Sequence, residues 1–196
     1  MIAQSLSTRY ALLALVAAVQ IGLVGKIVFD RISLLRNGRE IALPIVPVDP
    51  RDLFRGDYVT LGYPMSQIKI ADLPAGASFK ELAIGRTTYV TLHQGADQTW
   101  APIAVAPAYP AAVADGDVVV RGVVTNVWNT QESGGDRVFL RYGLERYFVP
   151  EGTGRELEDK VRDKTMQAIV AVGADGEAAI KGLLVDGERR EDSPLF

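Results

Sequence analysis

The sequence predicts a mainly β domain, barrel- or sandwich-like and antiparallel, with one short helix, behind a single N-terminal transmembrane helix. Three observations support this fold class. Residues 10–29 form an apolar run, and short alternating segments separated by turn residues then recur up to residue 185. The only helix signal in the body is the capping box from Thr153 to Glu156, which predicts a helix to about Lys164.

The apolar run predicts a membrane anchor. It holds no charge from Tyr10 to Gly25 and one, Lys26, near its end, and 20 helical residues at ~1.5 Å each cover a hydrocarbon core of ~30 Å. A cleaved signal peptide needs a shorter run followed by a small-x-small site, but Ala17 and Ala18 lie inside the run. A buried core helix would show a polar stripe, which this segment lacks. We therefore expect the anchor to be retained.

We infer the orientation of this span from the order of a short tail, one span and a long domain, rather than from local charge. Basic residues are more numerous after the span than before it, so a positive-inside count would place the body in the cytoplasm. Long domains, however, translocate with little regard to charge, and a nine-residue tail before one span is typical of a signal anchor. We expect a single-pass protein of the inner (cytoplasmic) membrane, with its C-terminal domain extracytoplasmic, in the periplasm.

Composition bounds the function of the body. Hydrophobic residues make up 48% of the chain, too many for a disordered protein. Beyond residue 29, 19 basic and 24 acidic residues leave a net charge of −5, which argues against binding nucleic acid. The absence of Cys and the single His, His93, exclude Cys-ligated and His-rich metal sites, and no phosphate-binding glycine motif occurs. We expect no metal and no cofactor.

Five segments set out the predicted organisation: a tail, an anchor, a connector, one β-rich domain and a polar, mobile C-terminal tail, at residues 1–9, 10–29, 30–39, 40–185 and 186–196. Within the domain, alternation and turn residues predict strands at 57–63, 87–93, 99–106, 117–128, 137–142, 166–172 and 178–185. Pro102 suggests that its strand lies at a sheet edge, and Gly122 suggests a bulge.

The segment from residue 47 to 63 is the least generic in the chain. Asp49 suits an N-cap, Pro50 the first helical position, Asp52 the third, and Gly56 the residue that closes a single turn. This structural interpretation is preferred. The alternative, a cation site formed by Asp49, Asp52 and Asp57, matches no calcium-loop spacing.

Two motifs in the chain resemble a known family. Residues 56–63 match G-D-Y-x-x-L-x-Y in full, and residues 142–152 resemble the block Y-G-x-E-x-Y-F-V-P-E-G. With the N-terminal span, these motifs identify the chain as similar to the GDYXXLXY family of membrane-anchored bacterial proteins, whose function is uncharacterised. The resemblance implies an integral membrane partner. It carries over no catalytic residue.

The candidate site combines both motifs. Alternation sends Asp57 to the same face as Leu61 and Tyr63, where its carboxylate needs a partner such as Arg55. Glu145 and Glu151 could pair with Arg55 or Arg51. An aromatic set of Tyr58, Tyr63, Tyr142, Tyr147 and Phe148 forms either core or a binding groove. The candidate binding residues are Asp57, Tyr58, Tyr63, Glu145, Tyr147 and Glu151. The candidate structural residues are Asp49, Pro50, Asp52, Gly56, Leu61 and Gly152.

These features favour a binding or accessory protein beside an integral membrane protein, acting through the surface between residues 49–63 and 142–152. One alternative is a hydrolase that uses Asp57, Glu145 and Glu151, with two acids about 5–9 Å apart in a pocket. Another is a sensor of an envelope ligand, with a closed apolar pocket lined by tyrosines. The sequence does not identify a small-molecule ligand.

Overall fold

The computed structural model of the protein describes residues 6–46, 58–74, 82–128, 135–148 and 166–191. Within these residues the chain forms one long helix, α1, which covers Leu6–Asn37, and eleven strands. The strands are β1 (Arg39–Pro44), β2 (Tyr58–Thr60), β3 (Gln67–Lys69), β4 (Thr87–Gln94), β5 (Trp100–Ala106), β6 (Val118–Trp128), β7 (Arg137–Arg141), β8 (Arg146–Phe148), β9 (Met166–Val172), β10 (Ala178–Val185) and β11 (Glu188–Glu191).

The strands form three antiparallel sheets. The largest has the order β3-β7-β6-β4-β5 and curves into a nearly closed barrel. A 3-10 turn at Pro64–Ser66 contacts both of its edge strands, β3 and β5, and so fills the remaining gap. A four-stranded sheet has the order β1-β9-β10-β11, and β2 pairs with β8 alone. The predicted fold class, mainly antiparallel β behind an apolar helix, is confirmed.

Alternating side chains from all three sheets build one shared core. Ile41 and Leu43 of β1 are buried in it, as are Val90 and Leu92 of β4, whereas His93 is exposed. Each such aliphatic side chain contributes ~1.5–3 kcal/mol when fully buried. The core is therefore formed by the side chains that the predicted two-residue alternation places on one face of each strand.

The predicted strand bounds agree closely with the structure except at residues 57–63. Strands β4 to β7 match within one residue at each end, and β9 and β10 match fully. Strand β2 ends at Thr60 because the regular ladder stops there. The N–H of Leu61 still donates to the carbonyl oxygen of Glu145, and the chain then changes partner at Gly62, which bridges to Val46. The segment stays extended but leaves the regular ladder.

Three features differ from or extend the sequence-based description. The helix α1 continues through most of the predicted connector and ends at Asn37. Strand β1 follows at once, although no strand was predicted there. Of the predicted polar tail, Glu188–Glu191 form β11, because Asp186 and Gly187 have φ of 52° and 84°, as a type I′ hairpin turn requires, and residues 192–196 lie outside the described residues.

The predictions for Pro102 and Gly122 have different outcomes. Pro102 lies in β5, which is an edge strand as predicted. The bulge predicted at Gly122 is wrong, because the pairing of β6 is regular there and shifts between Val124 and Asn126. Gly122 is needed for space: a Cβ atom on it would lie 3.0 Å from the ring of Tyr142.

Candidate functional site

The two motif segments of the sequence lie side by side in the structure. Strands β2 and β8 pair so that Tyr58 faces Phe148 and Val59 faces Tyr147. The pairing continues past the ladder, where the N–H of Leu61 donates to the carbonyl oxygen of Glu145 at 2.9 Å. Residues 58–63 and 142–148 of the predicted surface therefore lie in contact, and residues 49–57 and 149–152 of it lie outside the described residues.

Two buried tyrosines join the segments by hydrogen bonds in opposite directions. The hydroxyl of Tyr63 donates to the carbonyl oxygen of Leu144 at 2.8 Å, and that of Tyr142 donates to the carbonyl oxygen of Met65 at 2.7 Å. Burial raises the pKa of both phenols well above the usual value, and the nearby Glu145 carboxylate raises it further. We call this pair of hydrogen bonds the tyrosine clasp.

Glu145 closes a turn beside the clasp. Its Oε1 accepts a hydrogen bond from the N–H of Tyr142 at 2.6 Å, and Gly143 between them has φ of 78°. A carboxylate that accepts from a backbone amide makes a strong, charge-assisted hydrogen bond. The described contact of Glu145 is thus structural and fixes the loop that carries Leu144 to Tyr63.

The aromatic set is divided between core and surface. Tyr63 and Tyr142 are buried, and Tyr147 is half-buried against the core. Phe148 is 74% exposed, because its side chain lies on the opposite face of β8 from that of Tyr147. Leu61 is buried in the core, in keeping with its predicted structural role.

Several predicted site residues lie outside the described residues. They are Asp49, Pro50, Asp52, Gly56, Asp57, Glu151 and Gly152, as well as Arg51, Arg55 and the helix from Thr153. The side chain of Tyr58 is likewise not described. Their caps, ion pairs and binding roles therefore stay predictions.

A cleft that the sequence did not predict lies where α1 meets the β domain. Its volume is about 680 Å³, and its walls come from residues 29–39, 109–119 and 172–177. The carboxylates of Asp30, Asp117, Asp175 and Glu177 line it, together with one guanidinium, that of Arg39. These residues come from three distant segments without a shared motif, so no local pattern indicated them.

A polar network around Arg39 and Asp117 adjoins this cleft. Arg39 donates to the carbonyl oxygens of Gly116 and Asp117, both at 2.8 Å, and its guanidinium lies 5.5 Å from the ring centre of Trp100. The Asp117 side chain is only 8% exposed, and its Oδ1 lies 2.6 Å from Nδ1 of His93. The network ties the turn at residues 115–117 to β1 and β4.

Chemically, this network can hold the β5–β6 connection against the start of β1. Every charged member has a partner, as buried charged groups require. His93 is exposed at the end of its strand and is bonded to Asp117. Among the residues described by the structure, no three His, Asp or Glu side chains are placed to hold a metal ion.

The helix α1 presents its apolar side chains to the exterior. Residues Arg9–Asn37 form a helix long and apolar enough to span a membrane or to act as a signal sequence, and none of its most apolar window is buried against the domain. The last turns of the helix lie against the β domain, where α1 contacts β9 and β10. The exposed apolar helix and the β domain are thus joined at the cleft.

Comparison with known proteins places the chain in one family. The model of the GDYXXLXY protein family matches residues 20–183. No curated protein and no solved structure shows significant similarity to the chain. The family match covers most of the sequence, including both motif segments and the end of the apolar helix. The chain therefore belongs to the GDYXXLXY family.

Proposed function

We propose that this protein is a single-pass membrane protein with an extracytoplasmic β domain that acts as a binding or accessory subunit of an integral membrane protein. The observation that carries the proposal is the exposure of the apolar side chains of α1. Its apolar side chains, such as Ile21 at 73%, are exposed to the exterior over the length of a bilayer core. Such a surface is stable in lipid and not in water.

The join between helix and domain supports an accessory role close to the membrane. The N–H of Gly38 donates to the carbonyl oxygen of Leu34 at 2.8 Å, and β1 begins at Arg39. A Cβ atom on Gly38 or Gly173 would meet Leu34 Cδ1 at 3.2 Å, so the helix end fits closely against the sheet. A domain held in this way stays near the bilayer surface, where it can contact the extramembrane part of a neighbour.

We assign the partner-binding surface to the ladder of β2 and β8. The tyrosine clasp and Glu145 hold this ladder from the inside, and Phe148 extends from its outer face. Exposed aromatic side chains on a rigid strand are frequent anchors of protein interfaces. The backbone of Tyr58 pairs directly opposite Phe148, and we include Tyr58 in this surface only as the candidate binding residue that the sequence predicts.

The two alternatives receive less support from the described residues. A hydrolase would use Glu145 as an acid or base, yet its described hydrogen bond goes to a backbone amide of its own loop. A sensor would line a pocket with the motif tyrosines, yet the hydroxyls of Tyr63 and Tyr142 are bonded to backbone carbonyls within the core. Both side chains thus support the ladder from within.

The test is site-specific photocrosslinking in cells that express the full-length chain. A photoreactive phenylalanine analogue replaces Phe148 in one variant and Ile84, which is 66% exposed, in a matched control. We expect position 148, and not 84, to form an adduct with one integral membrane protein that stays in carbonate-washed membranes. Equal labelling at both positions, or no protein adduct at 148, would contradict the assignment.

A further inference from the structure

We propose that the cleft between α1 and the β domain binds the headgroup of a zwitterionic phospholipid that carries an ammonium group. This inference rests on the membrane anchoring within the proposed function, but not on the integral membrane partner. The cleft is about 680 Å³ in volume, within the range of ~300–1,000 Å³ that is typical of small-molecule sites.

The position of the cleft along α1 matches the level of lipid headgroups. The apolar run ends at Phe29, which is the first helix residue of the cleft wall, and the wall continues to Asn37. At ~1.5 Å per residue, this wall extends ~12 Å from the end of the hydrocarbon core. A headgroup layer is ~5–8 Å thick, since the whole bilayer is ~40–45 Å and its core ~30 Å. The inner part of the cleft therefore lies within the headgroup layer.

The charges of the cleft select a cationic group. Asp30, Asp175 and Glu177 have carboxylates about half exposed at the cleft. Lys26 pairs with Asp30, while Arg121 reaches Asp175 and Glu177 only at 3.8 and 3.5 Å. Each carboxylate has about four acceptor positions, so these pairs leave acceptors for an ammonium donor.

The remaining lining fits the other parts of the lipid. On the helix wall the amide of Asn37 donates to Oγ of Ser33 at 3.3 Å, and the second N–H of Asn37 and the hydroxyl of Ser33 are neutral donors suited to phosphate oxygens. Phe29, Tyr109 and Val113 line the cleft and are partly exposed apolar side chains, which suit the glycerol and the start of an acyl chain. The guanidinium of Arg39 is occupied by two carbonyl oxygens, so it does not favour an anionic lipid.

A lipid is favoured over a peptide segment because of what surrounds α1. A helix with exposed apolar side chains is solvated by lipid on all sides, so headgroups are at high local concentration beside the cleft. The cleft is concave, and its walls are partly charged and partly apolar. This combination matches an amphiphile, which has a charged headgroup and an apolar chain. A bound polypeptide is therefore one of the outcomes that the test must detect.

The test uses full-length protein in nanodiscs made from phosphatidylethanolamine and phosphatidylglycerol in equal amounts, analysed by native mass spectrometry. We compare wild type with the double variant Asp175→Asn/Glu177→Gln and with a control, Asp72→Asn/Glu188→Gln. The control removes the same charge from exposed residues outside the cleft lining. A third variant, Ala174→Trp, fills the cleft without changing its charge.

We expect wild type and control to retain one phosphatidylethanolamine with at least fivefold preference over phosphatidylglycerol. The cleft double variant and Ala174→Trp should lose this preference while keeping the wild-type unfolding temperature. Equal retention of both lipids by wild type, an unchanged preference in the cleft variants, or a polypeptide in place of the lipid would overturn the proposal. If the chain does not enter nanodiscs at all, the result contradicts the proposed membrane anchor. That result is distinct from a protein that enters nanodiscs without a lipid preference, which contradicts only the headgroup site.

Discussion

The hydroxyl of Tyr63, the last residue of the first family motif, donates a hydrogen bond to the carbonyl oxygen of Leu144 in the second. In return, Tyr142 of the second motif donates to the carbonyl oxygen of Met65, just after the first motif. These residues are distant in sequence, yet each tyrosine satisfies a buried carbonyl oxygen in or next to the other motif. Both tyrosines therefore act as structural residues that join the two segments.

Removal of one clasp hydroxyl should destabilise the domain. Tyr142→Phe leaves the carbonyl oxygen of Met65 without this hydrogen bond in a buried site, which typically costs ~1–3 kcal/mol. Tyr109→Phe, at a partly exposed ring, should change the free energy of unfolding by less than ~0.5 kcal/mol. Denaturant unfolding of the full-length variants in detergent measures both. Equal effects at the two positions would contradict the clasp.

The clasp also predicts loss of stability at alkaline pH. The pKa of Tyr63 and of Tyr142 is raised by burial above its unfolded value of 10.0. Above pH 10 the unfolded phenols lose protons while the folded ones keep them. The contribution of these two tyrosines to stability is therefore constant below pH 10 and falls above it, by ~1.4 kcal/mol per pH unit for each tyrosine.

Unfolding curves between pH 9 and 11.5 test this linkage. The slope of unfolding free energy against pH in Tyr142→Phe should be shallower than that of wild type by about one tyrosine's share. An identical slope in the two proteins would show that Tyr142 is not the titrating group.

At acid pH, a surface ion pair should make a small contribution. The hydrogen bond from Arg189 lowers the pKa of Glu40, and that from Lys181 adds to the effect. The contribution is present above the unfolded pKa of about 4.5 and is lost as pH falls through the lower folded pKa. Because Glu40 is partly exposed, Glu40→Gln should cost at most ~1 kcal/mol at pH 7 and less at pH 2. An equal cost at the two pH values would refute the linkage.

Two glycines with the same backbone conformation should respond differently to substitution. Gly176 and Gly187 both have φ of 84°, but a Cβ atom on Gly176 would lie 3.2 Å from the N atom of Arg121, whereas Gly187 has open space. Gly187→Ala should cost ~1–2 kcal/mol for the left-handed conformation alone. Gly176→Ala should cost ~1–3 kcal/mol more, because it overpacks the contact between the β9–β10 turn and β6. Thermal unfolding compares them, and equal losses would contradict the close contact.

The part of the fold that alternation encodes could be predicted from the sequence. Strands such as β9 and β10 place apolar residues at every second position or in continuous runs, and their bounds were correct. Strand β11 carries charged residues without alternation, so only the turn at Asp186 and Gly187 indicates it. Strand β1 was missed because Pro44 ends it and α1 runs directly into it.

The candidate site could be predicted only where its residues lie close together in the sequence. Both motifs were recognised from the sequence, and their opposite charges suggested that they are in contact. The hydroxyls of Tyr63 and Tyr142 donate to backbone carbonyl oxygens. Every residue has such a carbonyl, so these hydrogen bonds cannot be predicted from residue types. The cleft needs residues from three separated segments, and the role of Asp117 as the partner of His93 depends on how β4 and β6 align. Such relationships arise from tertiary packing rather than local pattern.

The central claim is the proposal that this chain is a membrane-anchored accessory subunit of an integral membrane protein. Its most direct test is the mass of the assembly that the chain, at its natural level, forms when native membranes are solubilised in mild detergent. The account predicts one complex in which the intact chain, with residues 10–29 retained, is near-stoichiometric with an integral membrane protein. An intact chain that is recovered alone, or one that lacks its N-terminal helix, would contradict the account.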